Sequence, residues 1–246
     1  MELAFAVVVG AVIGSFLNVC IDRLPRGESL LAPPSHCDAC GRRLGPLELV
    51  PVLSYLAVSG RCRTCRTLIP RRVLWVESGT GLLFLLVYLR FGSTLAALMA
   101  AAFVSLMVVV AAIDLEHRRV LNVVTYPAMA LAVAAVFLPG RAPLAYLLGG
   151  LLGGGALFLL AWASPRAMGL GDVKLAVFLG LFLGYPLILV ALFLAFVIGG
   201  LLSLLLLAFH RLRLGQVVAF GPYLALGGVI ALLYGYNLLT WWLARI

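Results

Sequence analysis

The sequence predicts an all-α fold: a polytopic membrane helix bundle of about eight transmembrane helices, with a small cytoplasmic four-cysteine zinc-binding domain between helices 1 and 2. Three observations predict it. Hydrophobic residues make up 64% of the chain and charged ones 11%, against roughly half and a quarter in soluble domains. Apolar runs long enough to approach a bilayer's thickness recur from end to end. The one sizeable polar stretch carries two pairs of closely spaced cysteines.

The first run, 3–21, reads as a retained helix. No Lys or Arg precedes it, it is longer than a signal core, and the positive charges follow it. "LNVC" at 17–20 has Val19 where a lipoprotein cleavage box needs a small residue. The later runs fall at roughly 74–90, 94–114, 121–138, 143–163, 172–184, 186–209 and 222–244. The sixth of the eight is short, and only Gly184-Tyr185-Pro186 separates it from the seventh.

The cations support keeping those two runs apart. With the N-terminus outside, segment 22–73 is cytoplasmic and holds nine arginines, from Arg23 to Arg72. Other inner turns add Arg118, Arg119, Arg166, Lys174, Arg211 and Arg213, leaving only Arg90, Arg141 and Arg245 outside. Merging the sixth and seventh runs would move Arg211 and Arg213 outside and spoil this asymmetry. The net charge of +9 therefore follows from topology and attraction to membrane lipid, and requires no nucleic acid. The expected division is a first helix at 1–21, a zinc domain at 22–73 and a membrane-embedded bundle at 74–246.

Within 22–73, "CDAC" places Cys37 and Cys40, and "CRTC" places Cys62 and Cys65. Two such knuckles suit tetrahedral zinc, since each short turn turns two sulfurs toward one ion. Disulfides are the other reading, but the charge rule puts the loop in the reducing cytosol. Four thiolates leave no open coordination position, which makes the metal structural, and a fragment this small needs such a staple. His36 reads as a solvated loop residue and Cys20 as a small packing residue in the first helix.

Ionisable groups inside spans point to function. Asp22, Glu77, Asp114 and Asp172 all sit near inner helix ends. Asp114 closes the third helix in "AAIDLEHRR", and Asp172 opens the sixth after Gly169-Leu170-Gly171. Glu116 suits a solvated ion pair beside His117 and the following arginines better than Asp114 does. The helix dipole accounts for an Asp at 172, while glycines at 169 and 171 would let an extended peptide approach. Two aspartates in a low-dielectric site would share a proton, one activating water and the other polarising an amide carbonyl. Lys174 points about 200° from Asp172 on a helix and either reaches the headgroups or meets substrate. Ser15, Asn18 and Asp22 align on one face of the first helix. Glu77, followed by Ser78, Gly79, Thr80 and Gly81, either anchors a ligand or satisfies Arg71 or Arg72.

This constellation resembles the bacterial type IV prepilin peptidases, membrane aspartic proteases of the GxGD kind. The resemblance is carried by "GSFLNVCIDRLPRG" (14–27), the two cysteine knuckles, "LVPVLSYLAVSGRC" (49–62), "RRVLWVE" (71–77), "AAIDLEHRRV" (111–120), "GLGDVKLA" (169–176) and "FGPYLALGG" (220–228). It implies removal, at the cytoplasmic face of the inner membrane, of a basic leader ending in glycine from type IV prepilins and pseudopilins of pilus and type II secretion systems. It further implies N-methylation of the new terminus from S-adenosylmethionine. The catalytic aspartates map onto Asp114 and Asp172, and the zinc ligands onto Cys37, Cys40, Cys62 and Cys65. Gly169, Gly171, Lys174 and Glu77 are the substrate-side candidates, with Glu77 and 14–27 also candidates for the methyl-transfer half. Asn122 departs from relatives that carry Asp there. Two readings compete: a proton-coupled transporter with Asp114 and Asp172 as relay, and an assembly scaffold whose zinc domain docks partners. The first expects acids at mid-membrane and repeated halves; the second leaves Asp172 between its glycines unexplained.

Overall fold

A computed structural model describes residues 1–164, 168–209 and 218–245. Arg166, Arg211 and Arg213, three of the expected inner cations, lie outside the described residues. The chain forms two compact units, Met1–Val109 and Val110–Ile246. The described residues form no strand; nine α-helices carry them: α1 Glu2–Arg23, α2 Leu53–Ala57, α3 Arg71–Phe91, α4 Leu95–His117, α5 Asn122–Val136, α6 Pro143–Ala163, α7 Leu170–Leu183, α8 Leu187–Ala208 and α9 Gly221–Leu243.

Each of the eight apolar runs coincides with one of these helices. Six of them (α1, α3, α4, α6, α8 and α9) are long and apolar enough to cross a membrane, so the protein is a multi-pass membrane protein. The other two are short. α5 has 15 residues and α7 has 14, rises of about 22 and 21 Å against a hydrocarbon core of about 30 Å. Against the expectation of about eight spans, six helices qualify by length, and the two short ones pack within the second unit.

Local chemistry sets the breaks. Arg118 adopts φ 52° and turns the chain out of α4, while its N–H still reaches the Asp114 carbonyl at 2.9 Å. α4 therefore continues to His117, and Asp114 lies within its last turns rather than closing it. Between α7 and α8, Gly184 at φ 75° and Pro186 make the corner that the charge pattern demanded. The Tyr185 N–H fastens that corner to α6 through the Ala145 carbonyl at 2.8 Å.

In the first unit α1 packs on α3 at backbone distance. A Cβ at Gly14 would lie 2.8 Å from the Glu77 Cα, so only glycine permits the approach. Of the small residues after Glu77, Thr80 and Gly81 are buried, while Ser78 is exposed. In the second unit α7 is central, packed against α6, α5 and α9, with Leu175, Leu179 and Ala176 fully buried. α6 and α7 run antiparallel in a fixed register. A Cβ at Gly180 would land on the Gly149 carbonyl, and one at Gly153 would sit 2.6 Å from the Ala176 oxygen. Phe193, Leu201 and Leu204 on α8 are exposed, a lipid-facing surface for a membrane helix.

Candidate functional site

The second unit gathers the two expected aspartates. Asp114 is 5% exposed, and its Oδ2 accepts the Gly221 backbone N–H at 3.0 Å. Gly221 begins α9, with Pro222 behind it, so this donor is one of the N–H groups that a helix start leaves unpaired. A Cβ at 221 would sit 2.7 Å from that carboxylate oxygen. Only glycine lets the helix end and the carboxylate meet.

Asp172 is the third residue of α7, half-buried, with Gly169 as N-cap. Its carboxylate stands near the Gly169 N–H, at the helix start, where the dipole favours negative charge. Asp114 and Asp172 lie within electrostatic range of one another. Leu170 and Gly171 belong to the helix rather than to a turn before it. At Gly171 the free space is already taken: a Cβ there would meet Val120 at 3.0 Å. Gly169 is exposed, with open space beside it.

Lys174 does not simply reach outward. Its ammonium donates to the Asn122 Oδ1 at 2.9 Å and stands 5.0 Å from the Tyr126 ring centroid. It thus ties the N-terminal part of α7 to that of α5. Glu116, His117 and Arg119 are exposed, as a solvated surface group requires.

In the first unit, Glu77 is 4% exposed. It does not satisfy Arg71 or Arg72: Arg72 pairs with Asp22 at 2.6 Å, and the Glu77 Oε2 accepts the Val52 N–H at 2.7 Å, with Ser15 a second partner. Val52 holds φ 63°, a strained position for a β-branched residue. Arg23, also buried, donates to the carbonyls of Ser29 at 2.9 Å and Pro33 at 2.7 Å, anchoring the start of the cysteine segment to α1.

The four cysteines come together. Their Sγ atoms all lie within 4.8 Å of one another, and Cys37 and Cys65 are 3.7 Å apart. An ion 2.3 Å from four tetrahedral sulfurs separates them by about 3.8 Å, so the donor set fits zinc. The two knuckles are built alike. In each, the first cysteine donates its N–H across a tiny hairpin, Cys37 to Arg42 and Cys62 to Thr67, both at 2.9 Å. The residue after the second cysteine is left-handed, Gly41 at φ 69° and Arg66 at φ 58°. Backbone N–H groups of Cys65 and Thr64 aimed at the Cys62 sulfur pull its thiol down to about 6, favouring the thiolate that a metal needs. His36 stays apart, hydrogen-bonded to the Pro34 carbonyl at 3.0 Å.

A clasp absent from the sequence reading braces the knuckles. The Glu48 carboxylate takes Arg42 at 2.6 Å, Arg63 at 3.5 Å and the Gly45 N–H at 2.9 Å. The Arg42 hydrogen bond, then the Gly45 N–H, hold it at about 2. Its folded value being depressed, this group's contribution is complete above the ordinary carboxylate range and lost as pH falls toward 2. Gly221, Val52 and the Asn122–Tyr126 seat of Lys174 were likewise missed. Of these only "FGP", a Gly-Pro opening an apolar run, carried a signal.

The fold and these sites define a polytopic helical membrane protein with a carboxylate pair at helix ends and a four-thiol cluster. Residues 8–91 match the bacterial peptidase A24 N-terminal domain, and residues 101–204 match the type IV leader peptidase family. The chain is 32% identical over 242 residues to a prepilin leader peptidase/N-methyltransferase of Bacillus subtilis, covering 98% of both chains. It is 31% identical over 261 residues to that of Pseudomonas putida, covering 95% of this chain and 91% of the relative. Over 258 residues it is 30% identical to that of Pseudomonas aeruginosa, covering 93% and 89%. The chain belongs to the type IV leader peptidase family. No solved structure matches it. The transporter reading finds no support in these matches.

Proposed function

We propose that the protein is a membrane aspartic endopeptidase that removes the basic leader from type IV prepilins and pseudopilins, then methylates the new N-terminus. The observation that carries the peptidase half is the Asp114–Asp172 pair, within electrostatic range and on separate helix ends. Two carboxylates that meet over one substrate amide would share a proton. The ionised one takes a proton from water, whose oxygen attacks the amide carbon. The protonated one hydrogen-bonds the carbonyl oxygen, and the departing nitrogen collects a proton as the C–N bond breaks. The Gly221 N–H steadies Asp114 throughout, and the Gly169 N–H steadies Asp172. Gly169, exposed and with free space beside it, and Lys174, two residues past Asp172, would meet the substrate. Gly171 has its space filled by Val120 and acts within the protein.

The cytoplasmic face of the bacterial inner membrane is the side on which this chemistry would occur. There the leader's basic residues stay in the cytosol and its helix lies in lipid. Residues 22–73 would form a zinc domain, Cys37, Cys40, Cys62 and Cys65 holding a structural ion that supplies folding stability. S-adenosylmethionine supplies an electrophilic methyl group when bound; the relatives' N-methyltransferase name supports its use.

The test uses purified protein in lipid nanodiscs with a prepilin, following the substrate's N-terminus by intact mass, with and without S-adenosylmethionine. Leader loss in wild type, abolished by Asp114→Asn and by Asp172→Asn, is the expected outcome. Cleavage surviving either change in full would remove the aspartate pair from the mechanism.

A further inference from the structure

Glu77 is a buried carboxylate with no cation in ion-pairing range among the described residues, since Arg72 is engaged by Asp22. Such a charge is costly unless something positive joins it. Asn18, 6% exposed, gives its amide hydrogens to the carbonyls of Gly14 at 3.3 Å and Val73 at 3.2 Å. Its Oδ1 is buried and has no partner, which buried amides rarely tolerate. Both residues line one cavity of about 680 Å³ in the first unit, between α1, α3 and the cysteine segment. Small-molecule cavities run from about 300 to 1,000 Å³.

We propose that this cavity binds the methyl donor, S-adenosylmethionine, with Glu77 and Asn18 receiving its cationic sulfonium and ammonium end. The inference rests on the N-methyltransferase reading above. A buried carboxylate without a cation and a buried amide oxygen without a donor match a ligand whose methionine end carries both positive groups. The same cavity is lined by Arg26 and Arg61, cations of the kind that take the donor's carboxylate. Leu49, Tyr55 and Ile69 add an apolar wall, suited to a flat base. Glu77 is held in place by the Val52 N–H and Ser15, so its carboxylate is oriented before any ligand arrives. The sequence signal was the alignment of Ser15, Asn18 and Asp22 on one face of α1; all three line this cavity.

The experiment measures binding of S-adenosylmethionine and of S-adenosylhomocysteine by calorimetry, with full-length protein in nanodiscs and no prepilin present. Glu77→Gln keeps an acceptor for the Val52 N–H and removes only the charge. It is expected to weaken donor binding at least tenfold, and to weaken the product, whose sulfur is neutral, distinctly less. Asn18→Leu, of similar volume, is the second variant and is expected to weaken both. Retained thermal unfolding and metal content establish that each variant is folded. Unchanged donor affinity in a folded Glu77→Gln, or in Asn18→Leu should the first not fold, overturns the site. If it is instead a Lys/Arg leader peptide whose binding Glu77→Gln abolishes, the cavity receives substrate and the assignment also falls. Wild type that cleaves prepilin yet binds no donor and transfers no methyl group refutes the methylation reading itself. Methyl transfer by wild type with full donor affinity in the variants refutes only this location.

Discussion

Gly221→Ala perturbs the candidate carboxylate pair without touching an ionisable group. The added Cβ would stand 2.7 Å from the Asp114 Oδ2 and 3.1 Å from its Cγ, roughly half an ångström inside ordinary carbon–oxygen contact. The far end of a side chain can yield by that much, so the fold survives. The carboxylate then moves off the N–H that holds it at 3.0 Å, and a hydrogen bond to a charged group is worth about 1.5–3 kcal/mol. Part of that loss, together with displacement of a reacting group by roughly half an ångström, amounts to a 10- to 100-fold fall in kcat. The assay is single-turnover cleavage of a prepilin in nanodiscs, beside thermal unfolding of the same sample. The unfolding temperature is expected to stay near wild type while the rate drops. A folded Gly221→Ala that cleaves at the wild-type rate would refute the placement of Asp114 at the reacting amide.

Gly180→Ala should behave in the opposite way, because its Cβ lands on the Gly149 backbone; separating α6 from α7 costs about 1–3 kcal/mol or more, read as lost folded yield and lower unfolding temperature. Purified protein should carry about one zinc per chain by elemental analysis; Cys37→Ser or a strong chelator should remove it and destabilise residues 28–70, seen as faster amide exchange confined there. Arg66→Gly should stabilise the second knuckle by about 1 kcal/mol, since Arg66, unlike Gly41 at the matching position, bears a side-chain penalty at its left-handed φ; slower metal loss to chelator is the readout. Asn122→Asp should convert the Lys174 contact into an ion pair worth about 0.2–1 kcal/mol, raising the unfolding temperature by about 1–2 °C.

Composition and charge made the helices legible, because apolar length and the Lys/Arg asymmetry are both one-dimensional signals. Even the break at Gly184-Tyr185-Pro186 was readable this way, since merging α7 with α8 would have reversed the last two helices. Asp114 and Asp172 were noticed for a similar reason: carboxylates are rare in such a chain, and each stands at a helix end. The knuckle cysteines declared themselves by spacing. What escaped were partners distant in sequence. Gly221 lies 107 residues from the carboxylate it holds, and a backbone N–H is offered by every residue except proline. Of the two roles charge allowed Glu77, ligand anchor or partner of Arg71 or Arg72, the second is set aside because Arg72 pairs with Asp22, which lies 50 residues away in sequence. Gly171 was read as space for a peptide, and Val120 occupies that space. Glycine says that something comes close; it does not say what.

The register between α6 and α7 determines how deep Asp172 lies. Gly149 faces Gly180 and Gly153 faces Ala176, so Asp172 is level with Leu157. α6 runs on for six more residues to Ala163, about 9 Å further along the axis. A pilin helix that ended flush with α6 would therefore leave its scissile amide out of reach. Bridging that gap takes about three residues of fully extended chain, and those residues must first give up their helical hydrogen bonds. How readily the first turn of a substrate melts, and so whether glycine stands there, would then decide how fast it is cut.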